Sequence, residues 1–145
     1  EAVDRRRRAV PRCPVWGSLM SARGNPEADA QRAIVAYLRA ILPIGSIVHH
    51  SANEVAGGGP KARLQQSICQ GMGVHAGFSD LIVISQGRVA FLEVKSKVGR
   101  ASPSQLAFGQ AVEAQGFPWA IIRTPEDAAA FLEGRGFKTR RKNRP

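Results

Sequence analysis

Apolar residues recur at helical spacing in several stretches of the chain. The strongest pattern repeats every three or four positions at Ile34, Leu38 and Ile41. It predicts a helix that begins at Pro26, a residue suited to the first helical position, and ends at Pro43, which cannot continue a helix. Weaker patterns predict further helices at residues 61–72, 103–115 and 124–131.

Short runs rich in Val, Ile and Phe predict four strands, at residues 46–51, 80–85, 89–95 and 117–123. The elements then follow the order helix, strand, helix, strand, strand, helix, strand, helix, and no internal repeat is visible. This order predicts an α/β fold in which helices flank a mixed sheet.

The two central strands are separated by only two residues, Gln86 and Gly87, which is the length of a tight hairpin turn. A turn at these two positions sets the pairing register of both strands and brings Asp80 opposite Glu93. Like charges at such a position destabilise a sheet, because their Cβ atoms lie only about 5 Å apart. The pattern therefore predicts a compensating positive group nearby.

Lys95 supplies that positive charge, since it lies two residues beyond Glu93 and therefore on the same face of the strand. The carboxylates of Asp80 and Glu93, with the backbone carbonyl of Val94, form a set of hard oxygen ligands that suits Mg²⁺ or Mn²⁺ better than zinc. Lys95 would then hold a water molecule or neutralise charge that develops on a phosphate. The alternative is a plain Glu93–Lys95 ion pair near a sheet edge, with Asp80 capping a turn.

A set of short motifs in residues 27–131 resembles the VRR-NUC nucleases of the PD-(D/E)xK superfamily. The matching segments are Gly77-Phe78-Ser79-Asp80, Glu93-Val94-Lys95, Ser102-Pro103-Ser104-Gln105, Glu27 with Gln31, and His50-Ser51-Ala52-Asn53. The resemblance implies a restriction-endonuclease-like αβββαβ core and a metal-dependent phosphodiesterase, in which Asp80 and Glu93 bind the metal and Lys95 is catalytic. Ser79 departs from the proline that is common in the family, and we expect this difference to be conformational rather than chemical.

Two further residues have a structural and a functional interpretation each. Ser102 and Gln105 have the spacing of a capping box at a helix start, while the resemblance places the matching glutamine near the active site. Glu27 lies in the first turn of a predicted helix, where a carboxylate favours the helix dipole, and it also resembles the acid that completes the metal shell in related nucleases. Both interpretations remain open for both residues.

The histidines are weaker candidates. His49 and His50 are consecutive on a predicted strand, so they point to opposite faces and cannot both bind one metal ion. We interpret them as core or edge residues, and His75 as a loop residue without chemistry.

Charge divides the chain into three parts. The 21 Lys and Arg residues and 11 Asp and Glu residues give a net charge of +10, of which residues 1–25 contribute +4 and residues 134–145 contribute +6, so that residues 26–133 are formally neutral. We predict an irregular basic arm at 1–25, one globular domain at 26–133 and a basic tail at 134–145. Basic tails suit sequence-independent contact with phosphates, although a purely solubilising role is the alternative.

Other classes of protein are disfavoured. No window approaches the roughly 18 consecutive apolar residues that a membrane-spanning helix requires, and prolines interrupt the region where a signal peptide would be apolar. Cys13 and Cys69 have no second cysteine close by, which disfavours a disulfide framework and a zinc knuckle. We therefore expect no membrane association and a cytoplasmic location.

The resemblance also implies a substrate and an assembly. Small members of the family resemble homodimeric nucleases that resolve branched DNA such as Holliday junctions, which suits a bacterial or phage-encoded protein. Two alternatives remain open: a nuclease that acts on flaps or RNA, and a non-catalytic nucleic-acid-binding protein that uses its Arg-rich tails.

Overall fold

The computed structural model describes residues 24–52 and 58–141 of the chain. The prediction of an irregular arm therefore lies almost wholly outside the described residues, as do Cys13 and Asn53. The helices and strands in chain order are α1 Pro26–Ile41, β1 Ile47–His50, α2 Pro60–Gly71, β2 Leu81–Ser85, β3 Arg88–Val94, α3 Pro103–Ala114, β4 Trp119–Ile122 and α4 Pro125–Gly134. This order confirms the predicted α/β fold, and α4 extends three residues beyond its predicted end.

The four strands form one mixed sheet with the order β1-β2-β3-β4. The pairs β1–β2 and β2–β3 are antiparallel, whereas β3 and β4 are parallel. Parallel neighbours need a crossover connection, and α3 provides it between β3 and β4. Gln86 and Gly87 both have positive φ, 49° and 76°, which identifies the type I′ turn that suits a two-residue hairpin. The predicted register is confirmed, with Ile82 opposite Phe91.

The main core lies between the sheet and the pair of helices α1 and α4. Ile34 and Leu38 of α1 and Leu132 of α4 are fully buried against Leu81 and Leu92 of the central strands. These positions are the apolar stripe of each helix and alternate residues of each strand, so the periodicity of the sequence places them in the core.

Among the described elements, α3 covers the opposite face of the sheet over β3 and β4. Phe91 of β3 packs edge-on against Phe108 of α3, with the ring centroids 6.0 Å apart. Over the β1–β2 half of this face, Ile47 and Ile84 remain exposed. Among the described residues, α2 buries none of its side chains.

The described part of the basic C-terminal segment packs against the domain. Phe137 is buried in the main core, and the backbone N–H of Arg140 donates to the carbonyl of Ile41. Arg141 forms an ion pair with Glu133 of α4. The boundary at residue 134 stays a prediction. No helix in the described ranges has the length and hydropathy to cross a membrane.

Candidate active site

The candidate site lies where β2 begins and β3 ends. Glu93, on β3, is fully buried (0% exposed), and Lys95 follows two residues later on the same face at 8% exposure. The Lys95 Nζ lies 3.1 Å from Glu93 Oε1. Strand alternation brings these two side chains together, as the sequence predicts.

Asp80 reaches the same cluster, but not as a ladder partner of Glu93. The β2–β3 ladder ends at the pair Leu81–Leu92, so the prediction that Asp80 lies directly opposite Glu93 is not met as a strand pair. Asp80 Oδ2 instead accepts a hydrogen bond of 2.8 Å from the backbone N–H of Val94. This bond holds the Asp80 carboxylate across the end of β3, where its charge still acts on Glu93.

Gln105 forms the predicted capping box and also contacts the cluster, whereas a catalytic role stays a prediction. Its backbone N–H and its side-chain Oε1 form a capping box with Ser102 at the start of α3. Its Nε2 donates to Glu93 Oε1 over 2.5 Å. One side-chain amide therefore caps the start of α3 and also holds one oxygen of the buried carboxylate.

Glu27 contacts Lys95 rather than the carboxylates. Its Oε1 lies 3.3 Å from Lys95 Nζ, so the ammonium bridges Glu27 and Glu93. In the described ranges, no group of three or more His, Cys, Asp or Glu side chains is arranged to hold a metal ion. The structure therefore gives no support to Glu27 as a third metal-binding acid.

The environment of the cluster shifts both ionisable groups. Burial, and then the charge of Asp80, raise the pKa of Glu93 to about 7, although Lys95 opposes the shift. For Lys95, burial alone lowers the pKa, but the hydrogen bonds and charges of Glu93 and Glu27 outweigh it and raise the pKa. Lys95 therefore stays positively charged, whereas Glu93 is partly protonated near neutral pH.

One oxygen of the cluster lacks a partner. Among the buried side-chain nitrogen and oxygen atoms of the described residues, Glu93 Oε2 is the one that has no hydrogen-bond partner. An unsatisfied buried carboxylate oxygen is costly, and such exceptions need an explanation. A hard divalent cation shared between Glu93 and Asp80 would satisfy this oxygen, so the two carboxylates fit Mg²⁺ or Mn²⁺.

Known proteins resemble this structure in fold. No protein-family model and no curated protein matches the chain. A solved structure described as a VRR_NUC domain protein is similar, with a TM-score of 0.58 and 21% identity, covering 77% of this chain and 88% of the other. A second, described as a VRR_NUC domain, has a TM-score of 0.51 and 18% identity over 76% of this chain and 97% of the other. The chain has the VRR-NUC fold. This confirms the predicted resemblance at the level of fold.

Within this VRR-NUC fold, the loop before β2 is positioned by a close contact with α3. A Cβ atom on Gly77 would lie 2.3 Å from the backbone of Ser104, and Gly77 has a φ of +72°. Only glycine permits both features. The contact sets the position of the next residues, including Asp80.

Ser79 takes part in a hydrogen bond that its sequence context does not predict. Its side chain is fully buried, and its hydroxyl accepts a hydrogen bond of 3.0 Å from Trp119 Nε1. Proline could not accept this bond, which is structural, so the expectation that the difference is conformational rather than chemical stays a prediction.

His50 is a second residue whose role only the structure shows. Its Nδ1 lies 2.8 Å from Gln31 Nε2 and 3.1 Å from the carbonyl oxygen of Asp80. The backbone N–H of Ser51 donates to the same carbonyl over 2.8 Å. The end of β1 thus supports Asp80 from the side opposite Val94. Gln31 and His50 each lie in a segment that carries the resemblance, and this was the available signal.

Proposed function

We propose that this protein is a Mg²⁺- or Mn²⁺-dependent DNA endonuclease that hydrolyses phosphodiester bonds. One observation carries the proposal: at the strand ends of a VRR-NUC fold, buried Glu93 keeps an unpaired oxygen beside Asp80 and a charged Lys95. A structural ion pair would be expected to satisfy both oxygens, because leaving one buried and unpaired costs stability.

Each residue has a distinct role in this proposal. Asp80 and Glu93, with the carbonyl of Val94, would hold the cation. When bound, the cation supplies Lewis-acid polarisation of the phosphate group. Lys95 would stabilise the negative charge that develops on the phosphate during attack by water.

In this proposal, Gln105 positions Glu93. Its Nε2 holds Glu93 Oε1 on the side of Lys95, which leaves Oε2 for the cation. The capping box fixes the side-chain amide at the start of α3, so it cannot rotate away without losing the hydrogen bond that its Oε1 accepts from the Ser102 N–H.

We further propose that the substrate is branched DNA, such as a Holliday junction, and that the protein acts as a homodimer in the cytoplasm of a bacterial cell, encoded by the bacterium or a phage. Two sites related by a twofold axis can cut two strands of a branched substrate symmetrically. Exposed apolar residues on the β1–β2 face and, separately, on α2 support an assembly, because exposed apolar patches mark contact sites. They are Ile47, Ile84, Leu64, Ile68 and Met72.

The test is a cleavage assay on labelled four-way junctions, flaps, linear duplex and RNA, with Mg²⁺, Mn²⁺ or EDTA. We expect cation-dependent cleavage by the wild type and by Lys138→Ala, a control that removes an exposed lysine. Asp80→Asn and Lys95→Ala should lose cleavage but still bind DNA. If both variants behave like the wild type, the cluster is a structural ion pair and the proposal is wrong.

The rival function is a non-catalytic protein that binds nucleic acid through its basic tails. Two of the C-terminal arginines are engaged within the domain: Arg140 donates to the Ala40 carbonyl over 3.0 Å, and Arg141 pairs with Glu133. This engagement weakens the rival proposal, because fewer cations remain to contact phosphates. Absence of cleavage of every substrate with every cation would favour it.

Thermal denaturation with and without cation gives a second, independent readout. A ligand that binds only the folded state stabilises it by about 2.7 kcal/mol at a hundredfold excess over Kd. Mg²⁺ or Mn²⁺ should therefore raise the Tm of the wild type and of Lys138→Ala. An equal rise in Glu93→Gln would show that the cation binds elsewhere.

A further inference from the structure

A cavity of about 320 Å³ lies near Asp80, outside the cluster described above. It is formed by the end of β1 and by the segment that leads from α2 to β2. The residues that determine its chemistry are His49, Ser51, Val74, His75 and Phe78. Its volume falls at the lower end of the range for small-molecule sites, about 300–1,000 Å³.

The cavity adjoins the candidate active site through the backbone. Ser51, in its wall, donates its N–H to the Asp80 carbonyl over 2.8 Å. Phe78, which also lines the cavity, precedes Asp80 by two residues. A nucleic-acid strand whose phosphate is held at Asp80 and Glu93 would therefore run past this cavity.

The walls combine flat rings with a few polar groups. The His75 ring is held edge-on against Phe108, with the centroids 5.4 Å apart, and its Nδ1 bonds to the Ala76 carbonyl over 2.9 Å. Because a carbonyl oxygen only accepts, Nδ1 is the donor in this bond. Val74 and Phe78 add apolar surface, and the Ser51 hydroxyl adds a hydrogen-bonding group.

We propose that this cavity binds one unpaired nucleobase next to the scissile phosphate. This inference rests on the proposed nuclease function and adds the feature by which the site recognises its substrate. A nucleobase has two π faces and a polar edge, which matches ring walls with a few hydrogen-bonding groups.

Such a cavity selects branched over regular duplex DNA. A paired base must first be unstacked and unpaired, which costs a few kcal/mol, whereas a base at a branch, flap or bulge is already partly released. The cavity would therefore favour cleavage near these structures without reading sequence.

The test measures binding in EDTA, so it does not depend on cleavage. The probes are four-way junctions that each carry 2-aminopurine at one of the nucleotides flanking the branch point. A matched set carries an abasic residue at the same positions. At one position we expect 2-aminopurine fluorescence to be quenched on binding, and the abasic junction to bind about 10-fold more weakly, as for the loss of one stacked base.

Val74→Trp fills the cavity from a partly exposed position, and Ile44→Trp places the same side chain on an exposed turn at the other end of β1. We expect Val74→Trp to bind the intact and abasic junctions equally, and Ile44→Trp to keep the wild-type preference. Circular dichroism checks that both variants are folded.

The possible outcomes separate this inference from the nuclease proposal. Equal binding of intact and abasic junctions by the wild type at every position overturns the inference, as does a full wild-type preference in folded Val74→Trp. Absence of any junction binding by the wild type overturns it as well. If base-dependent binding is present but no cation supports cleavage, the cavity stands and the nuclease proposal is wrong.

Discussion

Glu93 and Glu133 each pair with a cation, and the two pairs differ in burial and in hydrogen bonding. Glu133 accepts bonds at both oxygens: Oε1 from Thr139 at 2.5 Å and from Arg141 Nε at 2.9 Å, and Oε2 from the second Arg141 nitrogen at 2.5 Å. Glu93 is fully buried, yet its Oε2 accepts no hydrogen bond.

The pKa shifts of the two glutamates go in opposite directions. The hydrogen bonds from Arg141 and Thr139 lower the pKa of Glu133. Burial and the charge of Asp80 raise the pKa of Glu93 to about 7. One pair is therefore arranged to stabilise the fold, by fastening the C-terminal segment to α4, whereas the other keeps a charge at a cost to stability. A carboxylate held in this way is a candidate for binding a ligand.

The largest expected effect is on cleavage, and it separates the two glutamates. Glu93→Gln keeps the shape of the side chain but removes a charged cation ligand, so we expect the cleavage rate to fall by about 100- to 1,000-fold, as for loss of a principal electrostatic contact. Glu133→Gln should cleave at the wild-type rate. Single-turnover kinetics at saturating Mg²⁺ measure both, and equal losses in the two variants would remove the functional distinction.

The next effect concerns the loop that positions Asp80. Gly77→Ala introduces a Cβ that would collide with Ser104, whereas Gly73, which also has a positive φ of +98°, has open space around its Cβ position. We expect Gly77→Ala to lower stability by about 1–3 kcal/mol more than Gly73→Ala, and to reduce cleavage. Urea denaturation gives the stability difference. Similar values for the two variants would show that the contact with α3 is not needed.

The third effect is the pH dependence of stability without cation. Because the folded pKa of Glu93, about 7, lies above its unfolded value of 4.5, its contribution to stability is present below pH 4.5 and is lost as the pH rises through 7. Glu93→Gln lacks this loss. It should therefore gain roughly 2–3 kcal/mol of stability relative to the wild type between pH 5 and pH 8.

Glu133→Gln is the matched control for that measurement. The folded pKa of Glu133 is lowered, so its contribution is present above pH 4.5 and is lost only as the pH falls through the folded value. Between pH 5 and pH 8 its stability relative to the wild type should stay constant. Urea titrations in EDTA across this range measure both variants. If the stability of Glu93→Gln relative to the wild type were equally independent of pH, the raised pKa of Glu93 would be wrong.

The smallest effect is expected at the structural pair. Arg141→Gln breaks a partly exposed ion pair with Glu133, and such pairs contribute little to stability. We expect a small decrease in Tm, with unchanged cleavage and a decrease in DNA affinity no larger than that of Lys138→Ala. A strong loss of DNA binding in Arg141→Gln alone would mean that this arginine contacts DNA rather than Glu133.

Local signals in the sequence predicted most of the fold. The caps and prolines of α1 and α3 placed their starts within one residue of those in the structure, and the two-residue turn at Gln86 and Gly87 set the hairpin register. These features depend on residues close together in the chain, where propensity and turn geometry decide the conformation.

The candidate site was predicted less completely. Alternation along one strand brings Glu93 and Lys95 together, as expected from the sequence. The place of Asp80 depends on where the ladder ends, and the bond from Gln105 to Glu93 depends on how α3 packs on β3. Neither is a local property, so spacing could suggest these residues but not their contacts.

The sequence by itself determined the order of the elements, the hairpin register and the sharing of one strand face by Glu93 and Lys95, because each follows from backbone periodicity and turn chemistry. Only the tertiary structure decided that Glu27 contacts Lys95, that Gln105 serves both α3 and Glu93, and that Glu93 Oε2 is buried without a partner. Burial and hydrogen bonding between distant segments arise from packing in three dimensions, and it is packing that shifts the pKa of Glu93 and gives the site its chemical character.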